Sequence, residues 1–270
     1  MNADDLARFY EAHAADAPDG DWRAAHEALL GHLEAGSLRA ASPTADGDWE
    51  VHAWVKRAIL LGFRRSGVVE MPGPGYPMFD KQAYPPRAFV RDDSVRFVPG
   101  GSAVRRGAHL AAGVVVMPPA YVNVGAHVGA GTMIDSHALV GSCAQVGARV
   151  HVSAGAQIGG VLEPAAARPV IVEDEAFLGA LTGLFEGVRV RSRAVLAAGV
   201  VLTGSTVIHD LVHGTTHTRE VPDGAVVVPG SRPARGPHAE ANGLQLACPV
   251  IVKYRDARTD AATALEAALR

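Results

Sequence analysis

The chain is poor in cysteine, lysine and aromatic residues, and it has no long apolar run. Its two cysteines, Cys143 and Cys248, lie far apart without metal-like spacing, which argues against a disulfide framework or a zinc ribbon and fits a reducing compartment. The longest apolar stretches run only about ten residues, short of the ~20 that a bilayer-spanning helix needs. Met1 is followed by Asn-Ala-Asp-Asp, with neither a basic start nor an apolar segment, so a cytoplasmic protein is expected. Lysine occurs only at positions 56, 81 and 253, and 25 basic residues against 28 acidic ones leave a formal charge of −3. That balance removes the basic surface that nucleic-acid binding calls for, and no membrane partner is expected. What the chain does have is small and aliphatic: 48% apolar residues with only 6% aromatics, and 30 glycines.

These residues follow a six-residue clock. From Val98 the steps land on Val104, Leu110, Val116, Val122, Val128, Ile134, Val140, Val146, Val152 and Ile158, then, after a break at 162–169, on Val172, Leu178, Leu184, Val190, Leu196, Leu202 and Ile208. With nearly half of the residues apolar, an unbroken run of eleven has a random chance of only about a few in ten thousand. A helix does not return to one face every six positions, and the many glycines oppose one. The spacing predicts a β-solenoid of short strands and tight turns, its coils stacked about 4.8 Å apart and its aliphatic residues inside. Gly129, Gly141, Gly147, Gly159 and Gly179 follow in-phase steps, as tight turns require. Three hexads per coil would make residues 18 apart vertical neighbours.

The flanks differ. Residues 1–35 carry apolar positions at three- and four-residue steps ended by Gly36, and Glu50 to Arg64 reads as a further helix after the turn Asp46-Gly47-Asp48. Positions 66–94 are rich in Pro and Gly and read as an extended connection. Residues 224–230 and 249–253 read as strands and Thr259–Arg270 as a terminal helix, elements that would cap open coil ends. The expected organisation is a helical segment and connection (1–94), a β-helix (95–221) and a small strand/helix cap (222–270).

The repeat resembles that of the hexapeptide-repeat family, which implies a left-handed parallel β-helix of triangular section. The segment Gly131-Thr132-Met133-Ile134-Asp135-Ser136-His137-Ala138 and its continuation to Gly147 resembles tetrahydrodipicolinate N-succinyltransferases more specifically. So do Tyr121–Ala126, Ile158–Pro164, Val226–Ser231, Glu34–Ala40, Val55–Arg64 and Phe79-Asp80-Lys81. The resemblance implies a homotrimer with active sites between neighbouring β-helices. Succinyl-CoA would be the co-substrate, with acetyl-CoA an alternative, and the acceptor the amine of ring-opened tetrahydrodipicolinate. No metal is expected.

Asp135 and Ser153, 18 apart, should stack, and a carboxylate beside a hydroxyl can receive a proton from an attacking ammonium and aim the amine at a thioester. An Asp at a turn can equally serve a backbone N–H. The resemblance assigns Asp135 the place of the family's catalytic aspartate. A second column is read through Gly160, Ala180 and Ala198, with the two-residue offset of the break included; its small side chains would let a pantetheine arm approach. Ala197-Ala198-Gly199 resembles the family's CoA-facing stretch. One departure stands out, since many family members carry an acidic residue where this chain has Gly183. Glu186 is the nearest carboxylate and the candidate substitute. Substrate carboxylates call for arginine, with Arg64 the first candidate beside Arg149, Arg189, Arg191 and Arg193.

Other readings remain open at this point: acylation of a different amino-acid amine, a non-catalytic trimeric scaffold, or a zinc hydratase using His109 and His127, which are 18 apart. His137 could act as a base or shape a turn, and its place in the hexad favours the turn.

Overall fold

The computed structural model describes residues 1–12, 16–71, 73 and 75–256. Helix α1 (Ala3–Ala12) and helix α2 (Asp19–Ala35) open the chain. Helix α2 buries Trp22, Ala25, Leu29, Leu30 and Leu33 on one stripe and stops at Gly36, whose left-handed backbone (φ 73°) returns its N–H to Leu33 O. Strands β1 (Ala41–Pro43) and β2 (Trp49–Val51) pair antiparallel, and helix α3 (Ala53–Arg65) follows. The helix expected from Glu50 therefore begins at Ala53, because residues 49–51 pair with 43–41 before the helix can start. The stretch expected as a plain extended connection holds a hairpin, β3 (Val68–Met71) against β4 (Met78–Lys81).

From Arg96 the chain winds through two-residue strands on the three faces of a prism. Face one carries Val116, Ile134, Val152, Leu178 and Leu196 inward; face two carries Val104, Val122, Val140, Ile158, Leu184 and Leu202; face three carries Leu110, Val128, Val146, Val172 and Val190. All pair in parallel, and all sit in one continuous apolar core. In the strands the backbone hydrogen bonds pass between coils, and at the corners turn bonds such as Ala126 N–H to Asn123 O and Ala144 N–H to Gly141 O close within a coil.

The clock needs two corrections. Its first step is Phe97, not Val98, since Arg96-Phe97 pairs with Val115-Val116 and the first turn is one residue longer. The break is longer than its phase suggests: Val146 pairs with Val172, 26 residues on, so eight residues are inserted rather than two. The insertion is held by the buried Lys56, whose ammonium donates to Ala167 O at 2.6 Å.

Ala225–Pro233 extends face one above Leu196, and Gln245–Tyr254 pairs antiparallel with it. These strands run longer than expected, and the terminal helix expected at 259–270 lies outside the described residues. The N-terminal helices pack on the corner between faces two and three, where Val124 and Cys143 join the cluster of Leu29, Leu33, Val55 and Ile59. Gly125 (φ 76°) makes that approach possible, because a Cβ there would lie 2.9 Å from Ile59 Cδ1 and 2.8 Å from Cys143 Sγ.

Candidate active site

Asp135 and Ser153 follow the paired residues Ile134 and Val152, so they stack at the corner between faces one and two. Asp135 Oδ1 accepts the Ser136 N–H at 2.7 Å, the turn role foreseen for it. Its second oxygen and the Ser153 hydroxyl have no hydrogen-bond partner among the described residues. His137 supplies the left-handed turn residue (φ 62°) and lies exposed, with its N–H on Pro119 O. It lines a shallow cavity of about 330 Å³ on face two, together with Tyr121, Leu139 and Gln157.

The proposed small-residue column changes. Leu181 N–H donates to Ala154 O and Gly199 N–H to Ala180 O, so the stack is Ala154, Ala180 and Ala198, with Gly199 beside it. Gly160 is not part of it. The eight-residue insertion shifts the later run by one whole face, which leaves Gly160 exposed at the corner between faces two and three, against Ser142. A cavity of about 280 Å³ that sequence reasoning missed adjoins Gly199, between Val201 and the C-terminal strands at Pro229, Gly230 and Cys248. Its only sequence signal is the stretch Val226–Ser231.

Glu186 (φ 55°) also lies at the corner between faces two and three, and its Oε2 accepts the Gly204 N–H at 3.1 Å. One chain therefore does not bring Glu186 to Asp135. Gly183 sits on face two between Gln157 and Val201. A Cβ at 183 would be 2.7 Å from Phe185 Cε2, so the Phe185 ring fills the place of the missing side chain. Leu181 is 70% exposed at the neighbouring corner, and with Val201 it makes this wall apolar.

Arg64 is exposed and, among the described residues, reaches only Glu163, at 3.8 Å. Arg189 is buried among Glu173, Asp48 and Glu220, and Arg191 and Arg149 pair with Glu220 and Glu175. His109 and His127 do stack, with ring centroids 4.4 Å apart, and burial holds both below the usual histidine range. The next residue in their column is Gln145. Among the described residues no group of three or more His, Cys, Asp or Glu could hold a metal. No described helix is long and apolar enough to cross a membrane.

A buried carboxylate that the sequence did not single out caps the coil stack. Asp210 accepts hydrogen bonds from the N–H groups of Val212 and His213 and from Tyr254 Oη, and pairs with His213 Nδ1 at 2.8 Å. Burial raises its pKa, but these bonds outweigh that and hold it well below the usual carboxylate range.

A parallel β-helix of hexads is the fold of the hexapeptide-repeat acyltransferases, whose coil is left-handed. Residues 169–204 match the hexapeptide repeat of succinyl-transferase, and residues 6–64 match the tetrahydrodipicolinate N-succinyltransferase N-terminal family. Three similar proteins are each named 2,3,4,5-tetrahydropyridine-2,6-dicarboxylate N-succinyltransferase. That of Paramagnetospirillum magneticum is 47% identical over 259 residues, covering 93% of this chain and 91% of its own. That of Nitrobacter winogradskyi is 46% identical over 258 residues (93% and 91%), and that of Afipia carboxidovorans 44% over 261 (94% and 92%). The chain belongs to the tetrahydrodipicolinate N-succinyltransferase family.

Proposed function

We propose that the protein transfers the succinyl group of succinyl-CoA to the amine of ring-opened tetrahydrodipicolinate, in the cytoplasm, as a homotrimer with sites between neighbouring β-helices. The observation that carries this reading is the open oxygen of Asp135 stacked over the free hydroxyl of Ser153, on the same corner as Ala180, Ala198 and Gly199. Pantetheine would lie along the Ala154–Ala180–Ala198 edge and enter the cavity at Gly199, while Gly160 would contribute from the other corner of a neighbouring copy. Asp135 and Ser153 would orient the acceptor amine. As nitrogen bonds to the thioester carbon its acidity rises steeply, so the carboxylate can take its proton despite being a weak base for a free ammonium. Backbone N–H groups would steady the oxyanion. The carbon–sulfur bond then breaks, the amide forms, and CoA leaves as a thiolate that gains the proton.

Glu186 is the second carboxylate of the proposal. One oxygen is engaged by Gly204, which leaves the other for an acceptor held against a neighbouring copy. Arg64, weakly held by Glu163, is available to an acceptor carboxylate. The apolar wall of Leu181, Phe185 and Val201 favours a second reading, in which the acceptor is an amino acid with a less polar body than tetrahydrodipicolinate.

Thiol release should be measured for succinyl-CoA and acetyl-CoA against tetrahydrodipicolinate and a panel of amino acids. Release from succinyl-CoA only with tetrahydrodipicolinate supports the first reading, and release only with another amine supports the second. Asp135→Asn should lower kcat by about 100-fold or more, the usual scale for a lost acid–base group; a full-rate variant removes Asp135 from the chemistry. Glu186→Gln keeps an oxygen for Gly204, so a fall in its kcat would report on catalysis rather than on the turn.

A further inference from the structure

On face three, away from the Asp135 corner, a cavity of about 530 Å³ lies between the β1–β2 hairpin and the coils. The hairpin is tied down over it: Arg189 donates to Gly47 O at 2.6 Å, and Trp49 Nε1 donates to Glu173 Oε1 at 3.2 Å. These bonds make the cavity part of the fold rather than a gap under a loose loop.

Arg39 lines the cavity and is held in one orientation. Its Nε donates to Oε1 of the buried Gln145 at 2.9 Å, and its guanidinium lies 5.3 Å from the Trp49 ring centroid. Its two terminal nitrogens have no hydrogen-bond partner among the described residues. Arg39 forms no ion pair there, unlike its neighbours Arg189 and Arg191, which are paired with carboxylates. Burial draws its pKa down to about 10, and the charge of Asp174 opposes that. A half-buried guanidinium with a free two-nitrogen edge is the arrangement that binds a carboxylate through two parallel bonds.

Asp174 lines the same cavity. Its Oδ1 accepts the Ala148 N–H at 2.8 Å, and Oδ2 is left without a partner among the described residues. The cavity thus offers an unpaired cation and, within electrostatic reach of it, an anion with one free oxygen. A simple dicarboxylate would meet repulsion at Asp174, and a simple amine would meet it at Arg39. A molecule carrying both a carboxylate and an ammonium would satisfy the two at once.

We propose that this cavity is a binding site for a free α-amino acid, its carboxylate on Arg39 and its ammonium on Asp174. The bound molecule would bridge the β1–β2 hairpin and face three, so binding should stabilise the folded chain by mass action.

The test is calorimetric titration of the full-length protein, without acyl-CoA or acceptor, using the twenty common L-amino acids, with succinate and n-butylamine as half-ligands. The expected result is one site per chain for at least one amino acid. Its affinity should fall about tenfold or more in Arg39→Gln, Arg39→Lys and Asp174→Asn and stay unchanged in Asp135→Asn. Asp174→Asn retains an oxygen for Ala148 and is exposed, so it tests the site even if Arg39→Gln folds poorly. Absence of binding by every amino acid overturns the proposal. So does tight succinate binding that ignores Asp174→Asn, or amino-acid binding that follows Asp135 in place of Arg39.

Discussion

Gly183 and Phe185 should be coupled, because the aromatic ring stands where a side chain at 183 would go. A Cβ on residue 183 would lie 2.7 Å from Phe185 Cε2 and 3.3 Å from Cζ, with Val201 Cγ1 at 3.4 Å. Introducing Gly183→Glu alone must therefore push the ring off Gly159, against which it also packs. Overpacking of this kind costs about 1–3 kcal/mol. Phe185→Val alone removes the ring and leaves part of its footprint open, at a cost of the order of 1–2 kcal/mol for lost burial. In the double variant the glutamate occupies the vacated space, so its destabilisation should fall short of the sum of the single changes by about 1–2 kcal/mol. Urea denaturation of the four proteins measures the cycle, with the m-value checked for constancy. Additivity within about 0.5 kcal/mol would refute the claim that Phe185 fills the vacancy at 183. The same four proteins, assayed with tetrahydrodipicolinate, would show whether a carboxylate at 183 changes acceptor choice.

Three further outcomes follow from the core, the docked helices and the cap. Leu178→Ala, at a fully buried step of face one, should cost about 2–5 kcal/mol in denaturant unfolding; a cost under about 1 kcal/mol would mean that the coils are not close-packed there. Gly125→Ala places a side chain at φ 76° and against Ile59 and Cys143, so it should destabilise by about 2–4 kcal/mol from strain plus overpacking, and Ile59→Val should recover part of that loss. The Asp210 carboxylate is held below its ordinary range in the folded chain. Its contribution is therefore complete above about pH 4, the unfolded value, and is lost as pH falls further toward the folded one. The Tm should drop on acidification below about pH 4, and Asp210→Asn should lower the Tm at pH 7 while flattening that acid limb. An unchanged acid limb in the variant would exclude Asp210 as the titrating group.

Much of the site was legible because it rides on the repeat. Asp135 over Ser153, and His109 over His127, needed only the rule that residues 18 apart stack. The arginines were not legible, since nothing along the chain distinguishes the buried, triply paired Arg189 from the exposed Arg64 or the half-satisfied Arg39. The Asp210 cap escaped notice for the same reason: its partners come from a loop and from Tyr254, 44 residues on.

The amino-acid order by itself determined a solenoid, because a six-residue period of aliphatic side chains is buried by stacking short strands whose turns tolerate glycine and polar residues, while the three-sided section was implied by the family resemblance. The periodicity could not report how many faces the break spans, since an insertion of two residues and one of eight leave the clock in the same phase. Only the pairing of Val146 with Val172 decided that, and with it the corner on which Gly160 falls. The Arg39 cavity likewise exists only in three dimensions, because its walls are a hairpin and a coil face more than a hundred residues apart, brought together by the packing of helices on the prism's edge.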